Sequence, residues 1–372
     1  MSERVFGFGV VGCGVISDTH LDAIRSLPNA RIVAVCDTRE EAARAKAEQY
    51  GCAWYTDLAE MLRRDDLQVC NVVVPSGLHA RLGIQCAEAG KHVICTKPID
   101  ITLENIDALI AAAEANGVLV GATHQCRGTS VYKRLKQAIV DGRLGKLLYG
   151  NAVVPWYRSD EYYSDGWHGT RKLDGGGALM NQAIHSVDLL AWLMGPVVEV
   201  RAQTALLAHQ RIAVEDVAVA AVRFANGALG VIEATTAAFP GYLKRIEIHG
   251  SEGSAVMEEE DLVKWDFAKK QRRDALIHQQ MAQRRSGGGG AADPAAIGHH
   301  GHLRQFKDVL QAIRKGAAPL VDGAEGRRSV EIILAIYRSA ETGKAVSLPL
   351  PADPPLRARK TLVSKSAPSG PG

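Results

Sequence analysis

Five short apolar runs, each followed by a turn, constrain the first third of this 372-residue chain more than any other feature. They are Val5 to Val11, Arg31 to Cys36, Val69 to Val74, His92 to Cys95 and Val118 to Ala122. Stretches of helical composition alternate with them: Val15 to about Leu27, Arg39 to Tyr50, His79 to Ala89, and Thr102 as N-cap to Asn116. Strands buried on both faces read as continuous apolar runs, and strand–helix alternation builds a parallel sheet with helices on both sides. The expected fold class is therefore α/β, opening with a doubly wound parallel sheet over residues 1–123.

The turn after the first run gives that sheet a ligand. Gly12, Cys13 and Gly14 stand between the strand and its helix, the arrangement that sets a pyrophosphate against backbone N–H groups at a helix N-terminus in a Rossmann domain. Ser17 replaces the third glycine of that fingerprint. Asp37 ends the second run, where a carboxylate accepts from ribose hydroxyls and repels a 2′-phosphate, favouring NAD. Arg39 can pair with a phosphate and leaves NADP open. Ligands on such sheets bind beyond the strand C-termini. Gly12, Asp37, Pro75, Ser76, His79, Lys97 and Pro98 all fall at such ends. The expected cofactor set is Gly12, Cys13, Gly14, Val15, Ile16, Asp37, Arg39, Pro75, Ser76, His79, Lys97, Pro98 and Gln125.

The pattern changes near His124. A helix from Ser130 to Asp141 precedes strand candidates at Leu147–Val154, Val197–Leu207, Asp216–Phe224, Leu229–Thr236, Leu243–His249 and Ser254–Met257. Asn226-Gly227 marks a hairpin between two of them. Residues 124–350 are thus expected to form an α+β substrate and oligomerisation domain on a large open, mostly antiparallel sheet. Trp156, Tyr157, Arg158, Tyr162, Tyr163, Trp167 and Arg171 crowd one loop, a composition suited to sugar rings and to carboxylates or phosphates. Leu173 to Gly195 comes next, a glycine-rich turn and a helix. Asn181, His185, Asp188 and Trp192 share one helical face opposite Ile184, Val187, Leu190, Ala191 and Met194. The expected substrate set is Lys97, Arg127, Trp156, Tyr157, Arg158, Tyr163, Trp167, Arg171, Asn181 and His185.

Composition excludes other classes. A net charge of +3 and no basic stripe argue against nucleic acid. Seven scattered cysteines without a CxxC pair indicate neither a disulfide framework nor a zinc ribbon, and fit a reducing, cytoplasmic setting. No run resembles a signal peptide or membrane span. Asp266 to His302 reads as the least structured part, with a glycine tract at 287–290. His299, His300 and His302 lack a companion carboxylate or cysteine set, so no metal is expected, and one of them can cap the substrate pocket. Helices are expected over Leu303–Lys315 and Gly323–Thr342. Residues 351–372 have the composition of a disordered tail.

Gly12-Cys13-Gly14-Val15-Ile16, Asp37, Pro75-Ser76-Gly77-Leu78-His79, Lys97-Pro98 and the Gly175–His185 segment together resemble the Gfo/Idh/MocA family of NAD(P)-dependent oxidoreductases. Pro319 to Gly323 and Leu348 to Leu350 resemble that family's C-terminal end. The resemblance implies hydride exchange between nicotinamide and a secondary alcohol of a sugar or cyclitol, in dimers or tetramers. It maps the catalytic lysine onto Lys97 and the histidine onto His185. Asn181 stands where many members have aspartate, and Thr96 where many have glutamate. Asn181 with Gln182 looks most like the branch that oxidises C3 of UDP-linked amino-sugar uronates. Inositol or free-sugar dehydrogenases, glycoside hydrolases or lyases with transient C3 oxidation, and catalytically silent sugar- or NAD-binding proteins are the alternatives. The chemistry assigns the catalytic set Lys97, His185 and Asn181. His185 is expected to accept the hydroxyl proton and Lys97 to stabilise the alkoxide, with those two roles exchangeable. Asn181 cannot take a proton, and Asp188 is a candidate to orient His185.

Overall fold

The computed structural model describes residues 4–283 and 299–354. In chain order the first part is β1 (Phe6–Val11), α1 (Ser17–Arg25), β2 (Ala30–Cys36), α2 (Glu40–Tyr50), β3 (Ala53–Tyr55), α3 (Leu58–Leu62), β4 (Val69–Val72), α4 (His79–Glu88), β5 (His92–Cys95), α5 (Leu103–Ala115) and β6 (Val120–Ala122). The strands form one sheet in the order β3-β2-β1-β4-β5-β6. Every pairing in it is parallel. This is the doubly wound order whose switch point lies between β1 and β4, at the C-terminal ends that carry the glycine turn. Every residue of β1 is buried, as a strand covered on both faces requires. β3 and α3 were not expected; elements of three and five residues are too short to show a period.

The second part runs α6 (Ser130–Val140), β7 (Leu147–Pro155), α7 (Ile184–Met194), β8 (Val197–Ala205), β9 (Val217–Phe224), β10 (Leu229–Thr235), β11 (Arg245–Gly250), β12 (Gly253–Glu258), β13 (Asp261–Phe267), α8 (Arg272–Gln283), α9 (His300–Lys315), α10 (Gly323–Thr342) and β14 (Val346–Ser347). Its sheet has the order β13-β12-β11-β7-β10-β9-β8-β14. Only β7 and β10 pair in parallel among the described strands; the other neighbours are antiparallel. Strict alternation along β9 buries Ala218, Ala220, Val222 and Phe224 and turns the intervening residues outward. Helices α7 and α10 cover the buried face. Small residues let α7 sit close: a Cβ on Gly150 would meet Met194 at 2.9 Å.

Two parts differ from expectation. β13 and α8 occupy much of the segment read as least structured; residues 284–298, with the glycine tract, lie outside the described residues. A bulge opposite Val256 and Met257 breaks the alternation of β13, so Leu262 and Trp265 are buried three apart and the period-2 signal is lost. α8 is fastened by Asp274, which takes the Arg143 guanidinium at 2.8 and 3.0 Å and the Trp265 indole N–H at 3.0 Å. The start of the expected tail is also tied down: the Asp353 carboxylate accepts the N–H groups of Leu103 and Glu104 at 2.7 and 2.8 Å, capping α5. Residues 355–372 lie outside the described residues. No described helix is long and apolar enough to cross a membrane.

Candidate active site

The glycine turn is open where a dinucleotide needs it open. Gly12 has φ +103°, and a Cβ there would lie 2.5 Å from the Val73 carbonyl oxygen, so glycine is required. Gly14 faces empty space within 4 Å, Val15 is 90% exposed, and no side chain caps α1 at Ile16. Uncapped amides at a helix N-terminus beside a clear approach fit a pyrophosphate. Ser17, in place of the third glycine, is buried and donates to the Gly14 carbonyl at 2.6 Å, which holds the turn. Asp37 accepts the Cys13 N–H at 2.8 Å and the Arg39 N–H at 2.9 Å. Partial burial pushes its carboxyl up, but the Arg39 and Cys13 hydrogen bonds outweigh it and hold Asp37 ionised below the usual range. Arg39 is turned onto Asp37 at 3.2 Å. These residues fit NAD.

His79 is placed differently from the expectation of a cofactor ligand. It is fully buried, with ring nitrogens 2.7 Å from the carbonyl oxygens of both Pro98 and Val74. It therefore joins the end of β4 to the Lys97-Pro98 turn. Pro75 and Ser76 open the short 3-10 turn ahead of α4, and Gln125 packs against Gly301 at the start of α9.

Lys97 leaves the end of β5 through that turn, whose Lys97–Pro98 peptide is cis. Its Nζ donates to the Asn181 carbonyl at 2.5 Å and to Asn181 Oδ1 at 3.1 Å. Burial pulls its pKa down to about 8; the Asp174 carboxylate opposes that shift and Arg158 adds to it. His185, one turn beyond Asn181, is buried with Nδ1 unpartnered. Burial, then the charge of Lys97, pushes its pKa well below the usual value, so the ring is neutral. Its ring meets that of His124 edge-on at 5.5 Å.

The backbone that presents Asn181 is not the expected α-helix. Ala178–Ala183 is a π turn, and α7 begins only at Ile184. Glu215 fixes it, accepting the N–H groups of Gly177 and Leu179 at 3.0 and 2.9 Å and the Tyr337 hydroxyl at 2.8 Å. The expected split of α7 into a polar and a core face is absent, because nearly the whole helix is buried between the sheet and α10.

Other expected ligands are occupied. Arg127 is buried, gripping Asp188 through two bonds of 2.8 and 2.6 Å and Glu325 at 2.6 Å, and so does not face a substrate. Asp188 consequently does not orient His185. Arg158 is buried over the Trp156 ring and donates to Gln182 Oε1 at 2.9 Å. Gln182 in turn donates to the Tyr162 hydroxyl at 2.9 Å. Trp156 and Tyr163 are buried; Tyr157, Trp167 and Arg171 are half-buried, with Tyr157 edge-on to Phe239 and Trp167 beside His168. His302 packs on His20 with ring centroids 4.4 Å apart, and His299 lies against His300 at 4.6 Å.

Asp174, His124 and Glu215 were missed. Asp174 is 1% exposed and accepts Asn181 Nδ2 at 2.5 Å and the Gly169 N–H at 2.8 Å. Burial lifts its carboxyl to about 7. Its one legible signal is an acid directly ahead of three glycines. Glu215 and His124 carry none, since each acts on residues distant in sequence.

Comparison with known proteins bears on the family and the fold. Residues 6–124 match the oxidoreductase family with an NAD-binding Rossmann fold, and residues 132–256 match the GFO/IDH/MocA C-terminal domain. The WlbA dehydrogenase of Bordetella pertussis, solved in complex with NADH and UDP-GlcNAcA, is 35% identical, covers 94% of this chain and 99% of its own, and superposes with a TM-score of 0.86. Myo-inositol 2-dehydrogenase of Thermotoga maritima is 27% identical over 349 residues, 91% of this chain and 98% of its own length. A levoglucosan dehydrogenase in complex with NADH and levoglucosan is 26% identical, with a TM-score of 0.80 over 93% of this chain and 100% of its own.

Proposed function

The chain belongs to the Gfo/Idh/MocA family of NAD-binding oxidoreductases, and on that premise we propose that it oxidises a secondary hydroxyl, at C3, of a pyranose carried on a sugar nucleotide or a glycoside. The observation that carries the reading is the convergence of Lys97, Asn181 and His185. Bound NAD⁺ supplies the acceptor for the hydride that leaves the carbon. The hydroxyl proton passes to the neutral amine of Lys97, a group whose pKa near 8 is suited to taking and returning a proton at physiological pH. His185 stays neutral and hydrogen-bonds the reacting oxygen. This exchanges the roles first expected of the two residues; the exchange is supported by burial, which disfavours an imidazolium. Asn181 anchors the lysine. Glycine turn, Asp37 and the amides at the start of α1 hold the dinucleotide. The buried aromatic and arginine cluster around Trp156, Arg158 and Gln182 braces the sugar-facing loop, leaving Tyr157, Trp167 and Arg171 nearer the substrate.

The 35% identity to a protein solved with UDP-GlcNAcA favours a sugar-nucleotide uronate. A second reading, a cyclitol or free-sugar dehydrogenase, is supported by the near full-length similarity to the inositol enzyme. The test is NADH formation at 340 nm by the purified protein with UDP-GlcNAcA, myo-inositol and levoglucosan. Turnover of UDP-GlcNAcA with loss in Lys97→Met is expected. Turnover of myo-inositol alone selects the second reading, and activity retained in Lys97→Met overturns the site. We further propose a division at 123/124, supported by the two separate sheets, and a homodimer or homotetramer joined through the outer face of the second sheet. Free cysteines support a reducing, cytoplasmic setting.

A further inference from the structure

We propose that Asp174 is a positioning residue for Lys97, acting through the side-chain amide of Asn181. The inference rests on the reading of Lys97 as the proton carrier. A carboxylate can only accept hydrogen bonds and an ammonium can only donate them. An amide placed between the two is therefore oriented without ambiguity, its NH₂ toward the acid and its oxygen toward the lysine. Asn181 is placed in this way, with Nδ2 on Asp174 Oδ1 and Oδ1 receiving Lys97 Nζ. The second carboxylate oxygen is pinned by the Gly169 N–H, so the acid cannot swing away. Gln182 Nε2 adds a bond to Asn181 Oδ1 at 3.2 Å.

Asp174 forms no ion pair of its own among the described residues, although it is buried. An ionised carboxylate held in that way is costly unless its charge is used elsewhere. Among the described residues, the charged and titratable groups around Lys97 are Asp174, Arg158, His79, His124, His168, His185 and His302. Asp174 is the only acid among them. Those around Asp174 are Lys97, Glu215, Tyr162, Tyr163 and Tyr337. Arg158 therefore works against the ammonium and Asp174 works for it. The acid has two consequences: it fixes the amide oxygen that holds Nζ at the cleft, and above about pH 7, where it is ionised, its charge keeps the lysine from losing its proton too readily.

The test reads Lys97 directly. The NAD-saturated protein is labelled with acetic anhydride across a pH series, and modification of Lys97 is quantified by mass spectrometry. In Asp174→Asn the shape is kept and the charge removed, so the Lys97 titration should move down by roughly 1 pH unit. The acid limb of kcat/KM for alcohol oxidation should move with it, while NAD affinity stays constant. Exchanging the pair, Asp174→Asn with Asn181→Asp, restores one negative charge beside the lysine and should return the titration to or above its original position. A Lys97 titration unmoved in folded Asp174→Asn overturns the proposal. If that variant does not fold, the exchanged pair carries the test, and a Lys97 titration below that of the unaltered protein overturns it. Labelling that shifts in a protein oxidising no sugar would retire the dehydrogenase reading and leave the positioning role standing.

Discussion

A lysine at the base of a cleft carries protons only over the pH range in which it can shed its charge. For Lys97 that range is centred near 8, set by burial and resisted by Asp174. Oxidation needs the neutral amine, so kcat/KM should rise about tenfold per pH unit up to about 8 and then level. Reduction needs the ammonium, so the same limb should appear inverted, falling above 8. Steady-state profiles in both directions check this. A limb well below pH 6.5 would instead return the proton to His185, because burial moves the titration of its ring into that range. Lys97→Met should lower kcat by about 10²–10⁴-fold. Arg127 makes the opposite case. Its sequence context suggested a sugar-facing guanidinium, because nothing local shows that its carboxylates lie 61 and 198 residues away. Arg127→Leu strands the buried carboxylate of Asp188, while the partly exposed Glu325 keeps Arg328, and should cost about 3–5 kcal/mol in urea unfolding. A loss of substrate affinity without a loss of stability would restore it as a ligand.

At the level of elements, the alternation of apolar runs and helices was enough to place β1, β2, β4, β5 and β6, and β7 to β12 of the second sheet, but not β13 or β14. The placed segments are long or fully buried, and their periods survive. The π turn at Ala178–Ala183 was not legible, since the same residues are compatible with an α-helix. Glu215 selects it, from the loop before β9, drawing the amides of Gly177 and Leu179 to one carboxylate. The glycines make room for that acid. A Cβ on Gly177 would lie 1.9 Å from the Glu215 carbonyl oxygen, and one on Gly176 would lie 2.1 Å from the Tyr337 hydroxyl. Backbone cannot yield as a flexible side chain does, so Gly177→Ala should cost about 1–3 kcal/mol and displace Asn181 from Lys97. Thermal melts and kcat together check it: stability and turnover should fall in the same variant. An alanine variant with normal turnover would mean that the turn does not set the lysine.

Across the whole molecule, the two sheets are not independent bodies joined by a hinge. α9 comes after the second sheet in sequence yet packs Phe306, Val309 and Leu310 against Phe6 and Phe8 of the first. Gly121 of β6 also bridges to Asp322 just before α10. With α7 and α10 covering the inner face of the large sheet, no described helix covers its outer face. Along the centre of that face Val219 pairs with Glu233, and Leu229 with Arg223; Leu229 also lies beside Tyr149. Val219 is 50% exposed and Leu229 52%. Aliphatic residues at the middle of a broad sheet, rimmed by Arg201, Arg223 and Arg245, are the arrangement expected of a face covered by a second copy. Sedimentation should therefore show a dimer or tetramer. Replacing both central residues, Val219→Glu with Leu229→Glu, should place carboxylates of each copy against those of its mate and shift the mass to that of one chain. NAD binding should survive, because the glycine turn lies on the other sheet. A single-chain mass for the unaltered protein, or an assembly indifferent to two buried acids, would exclude this face as the joint.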